Sequence, residues 1–334
     1  MRRNVKFFLY KALIYLVTFF LVLIVNFILP RLAPGNVAAI ILSKFLRGVR
    51  SPSPLIFAEI KQLEASFGVL PQPLYVQLFS YLKGIFTWNL GLSITYYPEA
   101  VAQIISSSIG WSIAEVIVGS IVAFFLGNYL GSMAGYNRES WKDVAVVVIF
   151  GAVLAAVPTF AIIMYLEMWL SLDVNIFTIK FPALSSLLSP QGIVAFLRFY
   201  TLPELALVLT LVSGFALGMR NNMMHTLRDN YVIYAEALGI RPKEIMRMVY
   251  KNSLLPNITG FALSLGLAIS EALTVEGLLL IPGLGTYFGT ALGNKDLPLF
   301  QGIFLVVAIM LIISIAVAEL VYGYLDPRAR LGQE

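Results

Sequence analysis

The sequence predicts an all-α integral membrane protein with about six transmembrane helices, and three observations carry that expectation. Hydrophobic residues make up 59% of the 334 residues and charged residues only 12%, and mean hydropathy is +0.85. Soluble chains usually carry about 25% charged residues, so a soluble fold of this size lacks the polar shell to cover its apolar surface. Apolar runs as long as a bilayer core requires, about 20 helical residues, recur along the chain. Lys and Arg gather in the segments between alternate runs.

The elements follow in order. The first run covers residues 9–29, preceded or entered by Arg2, Arg3, Lys6 and Lys11. A cleavable signal peptide has a shorter apolar stretch, about 7–15 residues, and ends in a small-x-small site. This run ends in Ile28-Leu29-Pro30-Arg31, which favours a retained anchor. Residues 30–108 are more polar and carry the breakers Pro34-Gly35, Ser51-Pro52-Ser53-Pro54 and Pro71-Gln72-Pro73, with short amphipathic helices expected between them. The remaining runs fall at 112–133, 144–170, 203–219, 258–280 and 302–322. Pro158 stands midway in the third span, where a kink is expected. Residues 109–323 thus form a five-helix core, and 324–334 a tail, within a single transmembrane domain covering 1–334.

Counting Lys and Arg sets the orientation. With the N-terminus inside, inside segments hold fourteen of the twenty-three, and six more lie in 30–108, where length weakens the rule. The short outer loops keep only Lys180, Arg198 and Lys295. Both termini are expected in the cytoplasm of a multi-pass plasma-membrane protein. The net charge of +5 is met by this asymmetry and calls for no nucleic acid. The absence of cysteine excludes disulfides and thiolate metal sites, and the single histidine, His225, which a His-rich metal cage or a serine-type triad would need, stands alone in a polar segment and reads as a solvated loop residue. No GxxxxGK[ST] phosphate loop occurs, so ATP, if it drives this protein, is bound by another chain.

The largest inside loop, 220–252, reads RNNMMHTLRDNYVIYAEALGIRPKEIMRMVYKN. Its apolar pattern suits an amphipathic helix up to Gly239, a residue that takes a left-handed C′ position cheaply. Pro242 suits the first turn of a second helix, with Glu244 at its positive end. Two short helices joined by a tight turn are expected. They form either a passive interfacial anchor or a docking knob for a cytoplasmic partner.

Ala235-x-x-x-Gly239 followed by Leu255-Pro256 resembles the "EAA" loop of binding-protein-dependent ABC importer permeases, and above all of the dipeptide/oligopeptide subfamily. Further matches come in the same order: Arg31-Leu32-Ala33-Pro34-Gly35, Phe67-Gly68, Gln72-Pro73-Leu74, Asn89-Leu90-Gly91-Leu92-Ser93, Val157-Pro158-Thr159-Phe160, Ile281-Pro282-Gly283-Leu284-Gly285, Asn294-Lys295-Asp296 and Leu325-Asp326-Pro327-Arg328. Three features depart from the pattern. Ile233 stands where the motif's glutamate belongs, Glu236 stands where a basic residue is frequent, and the stretch from Gly239 to Pro256 is about one residue short.

The resemblance implies a type I importer fold. Two permease chains, here a heterodimer with a sister chain, would form the pore. Two ATPase chains would bind ATP and Mg, and an extracellular binding protein would deliver peptides or oligosaccharides. The chain itself would be no enzyme and hold no cofactor. Ala235, Glu236, Ala237, Gly239, Ile240, Arg241 and Pro242 would form the ATPase-docking element. A secondary transporter driven by an ion gradient is the alternative, and it would favour broken helices in two repeated halves, which the sequence does not display.

Glu115, Glu271 and Glu276 fall in or near the spans and are candidates for pore lining or intramembrane polar contact, because a mid-bilayer carboxylate costs several kcal/mol unless it meets a partner or a cavity. Glu167 and Glu319 lie near span ends, where headgroups are in reach. Trp88, Tyr96, Tyr97 and Trp111 suit an interfacial aromatic belt, or a stacking surface for sugar or peptide rings.

Overall fold

The computed structural model describes residues 2–32, 73–173 and 189–325. The breakers at 34–35 and 51–54, the Phe67-Gly68 motif and the tail motif beyond Leu325 lie outside the described residues. The described residues are almost entirely helical: α1 (Arg2–Leu32), α2 (Leu74–Phe86), α3 (Val101–Tyr136), α4 (Trp141–Val146), α5 (Thr159–Leu166), α6 (Pro190–Thr226), α7 (Asn230–Ala237), α8 (Pro242–Leu279), α9 (Leu284–Gly293) and α10 (Leu297–Leu325). The helical winding after α4 widens to π geometry over Val147–Leu154, and after α5 over Glu167–Asp173.

Five helices are long and apolar enough to cross a bilayer: Tyr10–Ile28, Val101–Tyr136, Pro190–Thr226, Pro242–Leu279 and Leu297–Leu320. A sixth span results if Trp141–Leu154 and Thr159–Leu170, bent by 99°, are counted together. The chain is a multi-pass membrane protein.

Two expectations need correction. The helices outrun the apolar runs, because a helix continues past the bilayer until a breaker stops it. α3 is 36 residues long and α8 is 38. The second helix of the 220–252 loop is therefore not short: it starts at Pro242 and passes Pro256 without ending. Pro158 also does more than kink its helix. With φ −61° and ψ 143° it is extended, forming the N-cap of α5 rather than a residue within one bent helix. Its ring and missing N–H deny the preceding turn its ladder.

The chain forms two compact units. The first comprises Met1–Trp111 and Pro282–Ile312, the second Ser112–Ile281 and Ile313–Glu334. In the first, Leu23, Ile85 and Leu305 make the core, edged by Phe19, Tyr81, Leu82 and Ile309. Asn26 donates from Nδ2 to Tyr81 Oη at 2.8 Å and to the Gln301 carbonyl at 2.9 Å. Buried Asp296 accepts from Ser93 Oγ at 2.6 Å and from the Thr95 and Leu299 amides at 2.7 and 3.2 Å.

The second unit is built on very close helix contact. Along α3, Gly119, Ala123, Gly127, Gly131 and Gly135 recur every fourth residue and so share one face. A Cβ on Gly127 would lie 2.6 Å from Phe215 Cβ, one on Gly131 2.2 Å from the Ala216 carbonyl oxygen, and one on Gly135 2.7 Å from Met223 Cβ. This is the small-residue packing by which membrane helices approach when no hydrophobic effect drives them together. Polar groups lock the same helices further. Asn257 on α8 donates from Nδ2 to Asn128 Oδ1 on α3 at 2.8 Å and to the Phe215 carbonyl on α6 at 3.1 Å. Asn222 Nδ2 donates to Asn257 Oδ1 at 3.1 Å and to the Ser253 carbonyl at 3.2 Å. Arg220 pairs with buried Asp143, its Nη2 donating to Oδ2 at 3.1 Å.

Candidate functional site: the coupling hairpin and the buried carboxyl groups

The hairpin at 220–252 owes its shape to one turn. Helix α7 ends with Leu238 as C-cap, and Gly239 follows at φ +72°. The Gly239 amide donates to the Glu236 carbonyl at 2.9 Å, and the Ile240 amide to the Ala235 carbonyl at 3.1 Å. These are the two bonds of a Schellman motif, and they occupy carbonyls that a helix end leaves orphaned. Ile240 folds back to pack near Ala235, Arg241 caps the next helix with extended backbone, and Pro242 opens α8 at its first turn.

The hairpin stands on a small core. Val232 and Ala235 from α7 pack against Met219 and Met223 from α6 and against Ile245 and Val249 from α8. Ala235 is only 6% exposed, so its expected place on the docking face is corrected: it packs inward and holds α7 in position. The outward face carries Ile233, Tyr234, Ala237 and Leu238, positions i, i+1, i+4 and i+5 on one stripe, with Leu238 80% exposed. Glu236, Arg241 and Lys243 are exposed around it.

In the second unit the spans bring carboxyl groups together. Glu115 on α3 and Glu276 on α8 are fully buried. Glu204 on α6 lies near them. Its Oε2 lies 3.0 Å from where a Cβ on Gly119 would stand, so the glycine one turn after Glu115 makes room for it. Tyr200, one turn before Glu204, neighbours the same three groups. Three helices thus present three carboxyl groups to one apolar interior, lined nearby by Leu202, Ala206 and Val275. Glu271 is half-buried and five residues before Glu276, which turns it to another face of α8. Glu204 escaped the sequence reading, although its signal, a lone acid after Pro203 in an apolar run, was present. Among the described residues no group of three or more His, Cys, Asp or Glu is arranged to hold a metal ion.

The model of the "Binding-protein-dependent transport system inner membrane component" family matches residues 127–331. The chain belongs to that family. It is similar to the dipeptide transport system permease protein DppB of Bacillus subtilis, with 29% identity over 273 residues covering 81% of this chain and 84% of the relative. It is 27% identical over 331 residues to the dipeptide transport system permease protein DppB of Lactococcus lactis, covering 98% of this chain and all of the relative. To the oligopeptide transport system permease protein OppB of Haemophilus influenzae it is 28% identical over 326 residues, covering 97% and 99%.

The family match includes the 220–252 hairpin, the Asn257 lock, Glu204 and Glu276. Glu115 precedes the matched residues. The likeness to the full-length relatives extends over the first unit as well, and the fold is that of a type I permease.

Proposed function

We propose that the chain is a pore-forming subunit of an ATP-driven importer, and that α7 with its Schellman turn is the element on which a cytoplasmic ATPase docks. The observation that carries this reading is the outward stripe of Ile233, Tyr234, Ala237 and Leu238 on a short helix with its own inner core. A passive membrane anchor needs an apolar face but no rigid seat, whereas a knob that transmits force needs both. Two ATPase chains bind ATP and Mg in this reading. A sister permease completes the pore, and an external binding protein delivers cargo. Both termini and residues 220–252 face the cytoplasm. ATP-driven closure of the ATPase pair favours one of two pore conformations, because the hairpin is held differently in each. Glu115, Glu204 and Glu276 are the polar groups of the interior, and their place in the transport path is part of the proposal. The names of the relatives favour peptides as cargo. A binding assay on the partner binding protein, with peptides against oligosaccharides, separates the two classes.

The decisive experiment replaces the most exposed docking residue. Leu238→Glu should leave the chain inserted and paired with its sister, but should reduce ATPase recovery on co-purification and abolish uptake. If the variant recovers ATPase chains and transports like the parent, the hairpin is not the docking element.

A further inference from the structure

Helix α2 offers a surface that the transport reading leaves unused. Over its 13 residues, Tyr81 and Ile85 lie on one side and Tyr75, Phe79 and Phe86 lie within about 40° of one another beside them, at 100° per residue. Together they make one wide apolar arc. Gln77, Ser80, Lys83 and Gly84 occupy the opposite arc, with Val76 the one apolar residue among them. Half of the apolar arc is covered: Tyr81, Leu82 and Ile85 pack with Phe19 and Leu23 of α1, and the Tyr81 ring lies 5.6 Å from that of Phe27. The other half is open. Tyr75 is 74% exposed, Phe79 72% and Phe86 69%.

The depth of the contact identifies what covers the open half. Phe19, Leu23 and Phe27 all lie inside the apolar span Tyr10–Ile28 and cover about 12 Å of its length. A helix packed on these residues is at membrane depth. Beside this contact α1 carries an exposed apolar flank of its own, where Phe20, Ile24 and Ile28 are uncovered. We infer that α2 is embedded in the membrane leaflet at the C-terminal end of α1, with Tyr75, Phe79 and Phe86 against acyl chains and the exposed Ser80 and Lys83 turned to headgroups and water. This is the amphipathic distribution of a helix that lies in a bilayer without crossing it. It gives the segment between α1 and α3 an attachment to the membrane besides those two helices, and it does not depend on cargo or on ATP.

The absence of cysteine from the sequence makes the test direct, since one introduced cysteine is one label. Phe79→Cys, Tyr75→Cys and Ser80→Cys are each made in the full chain. Each is spin-labelled and reconstituted into phospholipid vesicles with the chains that co-purify with it. Collision with molecular oxygen, which partitions into lipid, is compared with collision with a water-soluble nickel chelate. Positions 79 and 75 should meet oxygen several-fold more readily than the chelate, and position 80, exposed on the polar arc, should show the reverse. Chelate access at 79 and 75 equal to that at 80 overturns the inference in favour of water. Exclusion of both reagents at 79 and 75 overturns it in favour of a protein partner, the sister subunit or the binding protein.

Discussion

Gly239 is a residue whose role the backbone defines. At φ +72° a β-branched side chain costs about 1–2 kcal/mol, while nothing lies within 4 Å of a Cβ placed there. Strain, not collision, is therefore the penalty. Gly239→Val should weaken uptake by loosening the Schellman turn, and Gly239→Asn should retain most of it, because asparagine tolerates left-handed backbone. Equal uptake by both variants and the parent would show that the turn is not needed. Ala235→Trp belongs to a different class. Ala235 packs within the hairpin, so a bulky ring overfills that core and should lower thermal stability, by about 1–3 kcal/mol, as well as uptake. The turn was legible in the sequence because Gly and Pro mark backbone geometry directly. The inward aim of Ala235 was not, since alanine on a short helix carries no sign of which side meets the core. Glu204 was overlooked for a related reason: a carboxyl group's neighbours come from other helices, and their positions exist only after packing.

At the scale of the element, the contact of α3 with α6 invites a paired test. Gly131→Ala places a methyl group 2.2 Å from the Ala216 carbonyl oxygen, a contact that side-chain rotation cannot relieve. Gly110, also within α3, has open space around its Cβ position. Thermal unfolding in detergent should show Gly131→Ala destabilised by about 1–3 kcal/mol. Gly110→Ala should be neutral or stabilised by up to about 1 kcal/mol, through helix propensity alone. Equal melting of the two variants would mean that α3 and α6 have room to part. The four-residue repeat of small residues was visible in the chain, but hydropathy hides it, because glycine and alanine read as mildly apolar wherever they fall. Hydropathy found where the helices are. Their lengths, the full break at Pro158 and the Asn128–Asn257–Asn222 lock depend on backbone continuity and partner helices, which apolar runs do not encode.

For the whole molecule, orientation is the property that most constrains function. Lys and Arg favour a cytoplasmic 220–252 segment. A cysteine at position 243, on the exposed first turn of α8, should resist a membrane-impermeant thiol reagent in intact cells and react after permeabilisation. Labelling in intact cells would reverse the topology and remove the hairpin from reach of any cytoplasmic ATPase. The class of the protein was legible from composition, since a chain with 12% charged residues has few ways to be soluble. The division into two compact units was not, because residues 282–312 join the first unit only through folding.

The lock between α3, α6 and α8 has a mechanical consequence. Helices in backbone contact through glycine, and joined by an asparagine that bonds to both neighbours, have little room to slide or flex separately. Among the described residues, the span that stands outside this lock is the one broken at Pro158, which has no amide to offer the preceding turn and where α5 sets off at 99°. A push that the locked helices pass on as one body would then be taken up as a change in that angle, so that the size of a stroke would depend on the hinge and not on the lengths of the helices.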